Sequence, residues 1–347
     1  MIEGNGTKRR KKHYRVAILG DLHLGKRHRL YPERDHDVLD AVTTVATGAD
    51  LLIMAGDVFD SSKPQPKLIA GLTDAIMERP LTSPFRTLMV HGNHDYGHNH
   101  SALDAFKSLY WLKNGISVGY ADIEDAGITI FNWGEGSLYP DGRMRQIYVG
   151  HGTHPESPYA PPTEHLGKDE IVLTGASAAD DADSTRRIMV LGHLHAAHDF
   201  VDSNGWHVYY TGPTVQTGHG EGRPGYVTIH IERLSNGRHY TVEWRGLDSG
   251  RRFVSFEDWT GNTSDIVKAV CTTEEEASMA DTTLRLAGVE RFEIIRKPAI
   301  RINEVAKAVI GGFAHGGVAE AYVRYRKAHG REPVSDVVQM LRGLSAG

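Results

Sequence analysis

Apolar runs of β type recur along the first two-thirds of the chain, and five of them end in glycine: Arg15–Gly20, Leu51–Gly56, Thr87–Gly92, Gln146–Gly150 and Ile188–Gly192. Between them, Asp35–Ala46, Lys67–Glu78 and Ala102–Lys113 carry apolar residues at 3.6-type spacing and predict helices. From Ile128 to Arg233 the pattern turns toward β, with strands expected at Ile128–Trp133, Arg145–Gly150, Ile188–Leu191, Trp206–Thr211 and Tyr226–Glu232. Tyr240–Arg245 then closes a hairpin across Ser235–Gly237. A Pro-rich loop, His154–His165, and an acidic loop holding Asp180, Asp181 and Asp183 interrupt this region.

After Leu247 the texture changes. Arg252–Glu257 reads as a strand, Ser264–Val270 as a helix and Thr282–Val289 as a strand, together a small α+β unit. Ile302–Ile310 and Val318–Lys327 read as helical, separated by glycine pairs, and Val334, Val337, Val338, Leu341 and Leu344 share one face of a last helix. The expected organisation is a disordered basic tail over residues 1–13, a catalytic domain over 14–247, a small α+β capping domain over 248–300, and a helical C-terminal segment over 301–347 as a candidate partner-binding element.

Composition narrows the class. The 347 residues, 40% hydrophobic and 24% charged, suit a large globular domain with a smaller companion. No apolar run approaches the length of a membrane span, and the N-terminus lacks the apolar stretch of a signal peptide. Cys271 is the only cysteine, which removes a disulfide framework and any multi-thiolate metal site. These features point to a cytoplasmic protein that does not engage a membrane. The net charge of −5 argues against indiscriminate coating of nucleic acid, but two divalent cations would add four positive charges where a phosphate must sit.

The residues just after the five glycine-ended runs carry the chemistry. The first run leads into Asp21 and His23, the second into Asp57 with Asp60 three residues on, and the third into Asn93 and His94. The fourth leads into His151, and the fifth into His193 and His195. Ligands of open α/β sheets sit beyond the carboxyl ends of the strands, so five strand ends can bring seven N/O donors to one point. Glycine at each turn lets backbone and ligand approach closely. Mixed N/O donors suit Mn, Fe or Zn rather than an all-oxygen Mg site. Two metals roughly 3.5–4 Å apart need a bridging carboxylate, and Asp57, alone on its strand, is assigned that place. Asp21, His23 and His195 complete one metal, and Asn93, His151 and His193 the other. A hydroxide generated between the cations would attack phosphorus in line. His94 is left for general-acid work on the leaving group, with Asp60 expected to orient it.

Taken together, Gly20-Asp21-Leu22-His23-Leu24-Gly25, Gly56-Asp57-Val58-Phe59-Asp60, Gly92-Asn93-His94-Asp95, Gly150-His151 and Gly192-His193-Leu194-His195 resemble the calcineurin-like metallophosphoesterase signature. Within that superfamily the chain is most similar to the SbcD-type nuclease subunit of bacterial and phage double-strand-break repair nucleases. The first two motifs, the His193/His195 pair and Tyr210-Thr211-Gly212-Pro213 carry that likeness, which covers roughly Tyr14 to Arg245. It departs in the Gly212–Gly220 turn and in a reduced cap. The resemblance implies a four-layer αββα sandwich, two Mn ions, DNA as substrate, a capping domain, homodimerisation and an SMC-like ATPase partner of the SbcC type.

The expected function is therefore Mn-dependent hydrolysis of DNA phosphodiesters at duplex ends. A phosphodiesterase or phosphatase acting on nucleotides or phosphoproteins is the alternative, and a scaffold that keeps the fold without catalysis is a third reading. Lys26, Arg27 and Arg29 follow the first ligand pair and are candidates for phosphates flanking the scissile one, against the plainer reading of an exposed charged loop. His98 and His100 read as solvated, His154 as a weaker rival of His151, and His198 and His219 as neighbours of the cleft. Lys8–Lys12 reads as a soluble tail, and the Val334–Leu344 face as packing on its own domain.

Overall fold

Successive side chains of a strand face opposite ways, and the central strands here are apolar on both faces. In His13–Leu19, Val16 and Ile18 belong to one buried cluster while Ala17 and Leu19 belong to another. Leu51–Ala55 divides likewise, with Leu51, Ile53 and Ala55 in the first cluster and Leu52 and Met54 in the second. Continuous apolar runs of this kind mark strands covered on both sides.

The computed structural model describes residues 13–77, 86–97, 100–111, 116–118, 121–123, 128–130, 137–138, 147–167, 170–174, 187–234, 237–248 and 250–297. Two six-stranded sheets organise it. The first runs Gly237–Gly246, Gly225–Leu234, His13–Leu19, Leu51–Ala55, Arg86–Val90, Ile116–Val118. Its last four strands are parallel, and the hairpin joins antiparallel. The second runs His198–Val201, His207–Tyr210, Ile188–Gly192, Ile147–His151, Ile128–Ile130, Ala121–Ile123. Its four middle strands are parallel.

Ile18, Ile53 and Val90 of the first sheet share a buried cluster with Ile147, Val149 and Val190 of the second, so the sheets pack face to face. The helices Arg34–Ala46 and Pro66–Met77 cover the far side of the first sheet through Val38, Val42, Leu72 and Ile76. Tyr148, Met189 and Leu191 of the second sheet pack outward with Val172 and Trp206. The fold is mixed α/β, with sheets flanked by helices. Ala102–Trp111 is a 3-10 helix where an α-helix is predicted. No helix among the described residues is long and apolar enough to cross a membrane.

Residues 250–297 form a three-stranded parallel sheet in the order Phe253–Ser255, Ile266–Cys271, Arg291–Arg296, with the helix Glu274–Leu286 between the last two strands. Two predicted elements are corrected by this unit. Ser264–Val270 is expected as a helix, yet Ile266–Cys271 is a strand. Its Val267, Ala269 and Cys271 pack with helix residues Leu284, Ala277 and Ala280, while Ile266 joins the core between the first sheet and its helices. Thr282–Val289 is expected as a strand but lies largely in the helix. That helix is started by a capping box of Thr273 and Glu276 and buries Ala277, Ala280 and Leu284 at helical spacing.

The unit is pinned to the larger, two-sheet part of the fold. Arg251 and Arg291 both pair with Glu33 (2.8 and 2.5 Å), and the Arg251 amide donates to the Tyr31 hydroxyl (2.7 Å). Phe253 joins the core cluster beside Tyr31. The tail through Lys12, the loop around Asp180, His98, and the segments Ile302–Ile310, Val318–Lys327 and Val334–Leu344 lie outside the described residues.

Candidate metal centre

Four described non-glycine residues have positive φ, and they are Asp21 (51°), His23 (45°), Asp57 (47°) and His193 (95°). Such backbone is costly for a residue with a Cβ, and strain of this kind clusters at functional sites. All four are candidate ligands at strand ends. Close approach is also built in at the glycines. A Cβ on Gly56 would land on the His151 ring, and one on Gly92 would land on Asp57.

Asp57 stands at the middle. Its Oδ1 lies 3.5 Å from His151 Nε2, and its Oδ2 lies 3.6 Å from His23 Nε2 and 3.9 Å from His94 Nε2. Ligand atoms of Asp21, His23 and His195 lie within 4.8 Å of one another, as do those of Asp57, His151 and His193, and those of His23, Asp57 and His94. Asn93 Oδ1 is 3.2 Å from His151 Nε2. One carboxylate thus turns an oxygen toward each of two donor sets, which is what a bridging ligand does. His23 and His195 bring their Nε2 atoms to 3.1 Å, close enough for both lone pairs to converge on one cation. These donors, buried or half-buried, fit a pair of divalent ions.

The outer nitrogens explain why the inner ones face inward. His151 Nδ1–H donates to the Ala55 carbonyl (2.8 Å), His195 Nδ1–H to Glu221 (2.8 Å), and His94 Nδ1–H to the Asp60 carbonyl (3.2 Å). Each contact fixes the tautomer that presents Nε2 as a lone pair. Asp21 accepts the His193 amide with both oxygens (2.9 and 3.0 Å), tying the first motif to the fifth.

Electrostatics among the chain's own groups show how crowded the centre is. Burial pushes Asp21 up against the opposing pull of His195 and His151. Burial also opposes ionisation of Asp57, but His151 and His23 outweigh it and hold the carboxyl low. His151 is correspondingly raised to about 9, because the Asp57 charge overcomes its burial. His193 falls to about 3 through burial and then the charge of His151.

The structure brings all seven predicted ligands together, with His94 beside them and its side chain 36% exposed. It places Asp60 differently from expectation. The Asp60 carboxylate is closer to Lys26 Nζ (3.2 Å) and His23 Nδ1 (3.4 Å) than to His94 Nδ1 (3.8 Å), so its carbonyl, not its carboxylate, holds His94. Lys26, Arg27, Arg29 and Lys67 line a cavity of about 460 Å³ beside the first motif. His154 is buried against Asp202 (3.3 Å), and His198 Nε2 accepts the Ser157 hydroxyl (2.8 Å), so both serve the Pro-rich loop instead of the centre. His100 is exposed, and His219 packs edge-on to Phe253.

Three supporting residues escape sequence reasoning. Asp95, fully buried, accepts from the amides of Phe59 (2.9 Å), Gly92 (3.0 Å) and Val58 (3.2 Å), clamping the second motif to the third. Burial and then the Asp57 charge raise its carboxyl to about 7. Arg34, 1% exposed, donates to the carbonyls of Leu22 and His23 (both 2.8 Å), Val215 (3.3 Å) and Gln216 (3.4 Å). Glu221 holds His195. The only sequence signal is a charged residue on an otherwise apolar helix face for Arg34, and the motif position itself for Asp95.

The family model for the calcineurin-like phosphoesterases (Metallophos) matches residues 14–219. No curated protein matches the chain. Among solved structures, the chain is similar to a predicted phosphoesterase from Streptococcus pneumoniae TIGR4, with 12% identity over 69% of this chain and 92% of that one (TM-score 0.33). It is also similar to a dimetal phosphatase from Danio rerio, with 9% identity over 66% and 98% (TM-score 0.37). Vps29 from Entamoeba histolytica, complexed with zinc, matches at 12% identity over 66% and 98% (TM-score 0.29).

Proposed function

The chain belongs to the calcineurin-like phosphoesterase family, and from that premise we propose that it is a Mn-dependent nuclease hydrolysing DNA phosphodiesters, the nuclease partner of an SMC-like ATPase. The observation that carries the phosphoesterase part is Asp57, which sets one oxygen toward each of two histidine-containing donor sets with His94 beside them. Asp21, His23 and His195 would hold one ion and Asn93, His151 and His193 the other, with Asp57 shared. When bound, the chemistry such a pair supplies is a water of lowered pKa and positive charge opposite the phosphoryl oxygens.

The chain's own residues supply the rest. His94 is held at Nδ1 by the Asp60 carbonyl, so its Nε2 is the atom that exchanges a proton with the leaving oxygen. Lys26 reaches the edge of the centre through Asp60 and opens onto the basic cavity with Arg27, Arg29 and Lys67. Four cations against one carboxylate, Asp35, in a cavity beside the first motif suit a substrate with several phosphates, and contacts of this sort bind without reading sequence. That is the support for DNA over a lone phosphomonoester. DNA, a second copy of the chain and the ATPase are the partners of this reading.

The test is Mn-dependent cleavage of end-labelled linear duplex DNA, beside a generic phosphodiester and a phosphomonoester, with His94→Ala as control. Degradation of DNA that disappears in the control is the expected result. Hydrolysis of the monoester alone would replace this reading with a phosphatase, and metal binding without any turnover would replace it with a scaffold.

A further inference from the structure

The loop between the strands His207–Tyr210 and Gly225–Leu234 runs beside the metal centre and also touches the C-terminal unit. Glu221, on this loop, accepts His195 Nδ1–H at 2.8 Å with one oxygen. Its other oxygen accepts the Thr217 amide at 2.5 Å, and the Thr217 hydroxyl donates to the carboxylate as well. The backbone closes the same knot, since the Gly222 amide donates to the His195 carbonyl (2.7 Å). A carboxylate so gripped has one orientation, and it gives His195 one tautomer.

Gln216 fixes the loop from the other side. It is 6% exposed, and its Nε2 donates to the carbonyls of Glu221 and Gly222 (both 3.1 Å). Its Oε1 accepts the amide of Phe253 (2.8 Å), the first residue of the C-terminal sheet. A continuous series of contacts therefore runs from His195 through Glu221 and Gln216 to the C-terminal unit.

Resting on the two-metal reading of the centre, we propose that Glu221 is a positioning residue for His195 and that the docked C-terminal unit holds Glu221 in place through Gln216. The unit is then part of what forms the metal site, besides whatever surface it offers to substrate. Partners that orient a ligating histidine typically change metal affinity about 10–100-fold when removed.

The experiment is Mn titration of the full-length chain, read by calorimetry and by metal content after gel filtration, with the visible spectrum of the Co-substituted protein as a report on ligand geometry. Glu221→Ala should bind one of two ions about 10–100-fold more weakly and shift the Co spectrum. Glu221→Gln, which keeps an acceptor for Nδ1–H, should recover most of the loss. Gln216→Ala should weaken the same ion, and the double variant should lose no more than Glu221→Ala alone, because both act on one path. Unfolding in chelator, at the same midpoint for Glu221→Ala and wild type, separates metal loss from misfolding. Wild-type affinity and spectrum in Glu221→Ala would overturn the role of Glu221, and additive losses in the double variant would overturn that of Gln216. A wild-type chain that binds no divalent metal would instead remove the two-metal reading itself.

Discussion

The Nε2 atoms of His23 and His195 meet at 3.1 Å across 172 residues of sequence. Without a cation, one of these nitrogens must carry a proton and the other a lone pair for the contact to be attractive. A cation resolves the conflict by accepting both lone pairs. Divalent metal should therefore stabilise the fold, by about 2.7 kcal/mol per site at a hundredfold excess over Kd. Thermal unfolding with Mn and with chelator tests this, and superimposable transitions would count against a metal at this pair.

His94 and Asp57 should behave in opposite ways. His94 is part-exposed and sits at the rim, so His94→Ala is expected to retain both metals while turnover falls by roughly 10²–10⁴-fold. Asp57 is 2% exposed and faces both donor sets, so Asp57→Ala should empty both. Metal content per chain decides the matter. Loss of an ion in His94→Ala would make that histidine a ligand.

How far the sequence can be read depends on whether a residue's role is local. Asp21, Asp57, Asn93, His151 and His193 each lie at, or within three residues of, the end of an apolar strand, so their convergence at the carboxyl ends of strands from both sheets is legible from strand ends alone. Glu221 is not at a strand end. It matters only because its loop folds back over His195, 26 residues earlier. Arg34 likewise acts on carbonyls from two distant loops, and nothing near it in the chain predicts that. The C-terminal unit is hard to read for a different reason. Ile266–Cys271 buries Val267, Ala269 and Cys271 against a helix and Ile266 against the core, while Val270 is apolar yet exposed, so its apolar residues are too dense to show a strand period.

Asp95 offers a stability test separate from the metals. It is the shared acceptor for the Val58, Phe59 and Gly92 amides, none of which can reach water easily at this depth. Removing it leaves three donors to find new partners. Asp95→Ala should lose on the order of 3 kcal/mol or more, since each unpaired buried group costs about 1–3 kcal/mol. Denaturant unfolding in chelator reads this directly, and a loss below about 1 kcal/mol would mean that the loops relax onto other acceptors.

Glu33 sets the acid limit of the joint between the two units. Burial opposes its ionisation, but hydrogen bonds from Arg291 and Arg251 prevail and lower its carboxyl from 4.5 to about 2. A carboxyl lowered on folding stabilises the native state fully above its unfolded value. That contribution declines as pH falls from about 4.5 and is gone below about 2. Glu33→Gln removes the titration while keeping the shape. The variant should therefore be less stable than wild type at neutral pH, with the difference shrinking steadily through the acid range. Arg251 and Arg291 come from the C-terminal unit, so protease cleavage within residues 250–297 should track the same window. Parallel acid limbs for the two proteins would show that the joint is held by Phe253 and its apolar neighbours instead.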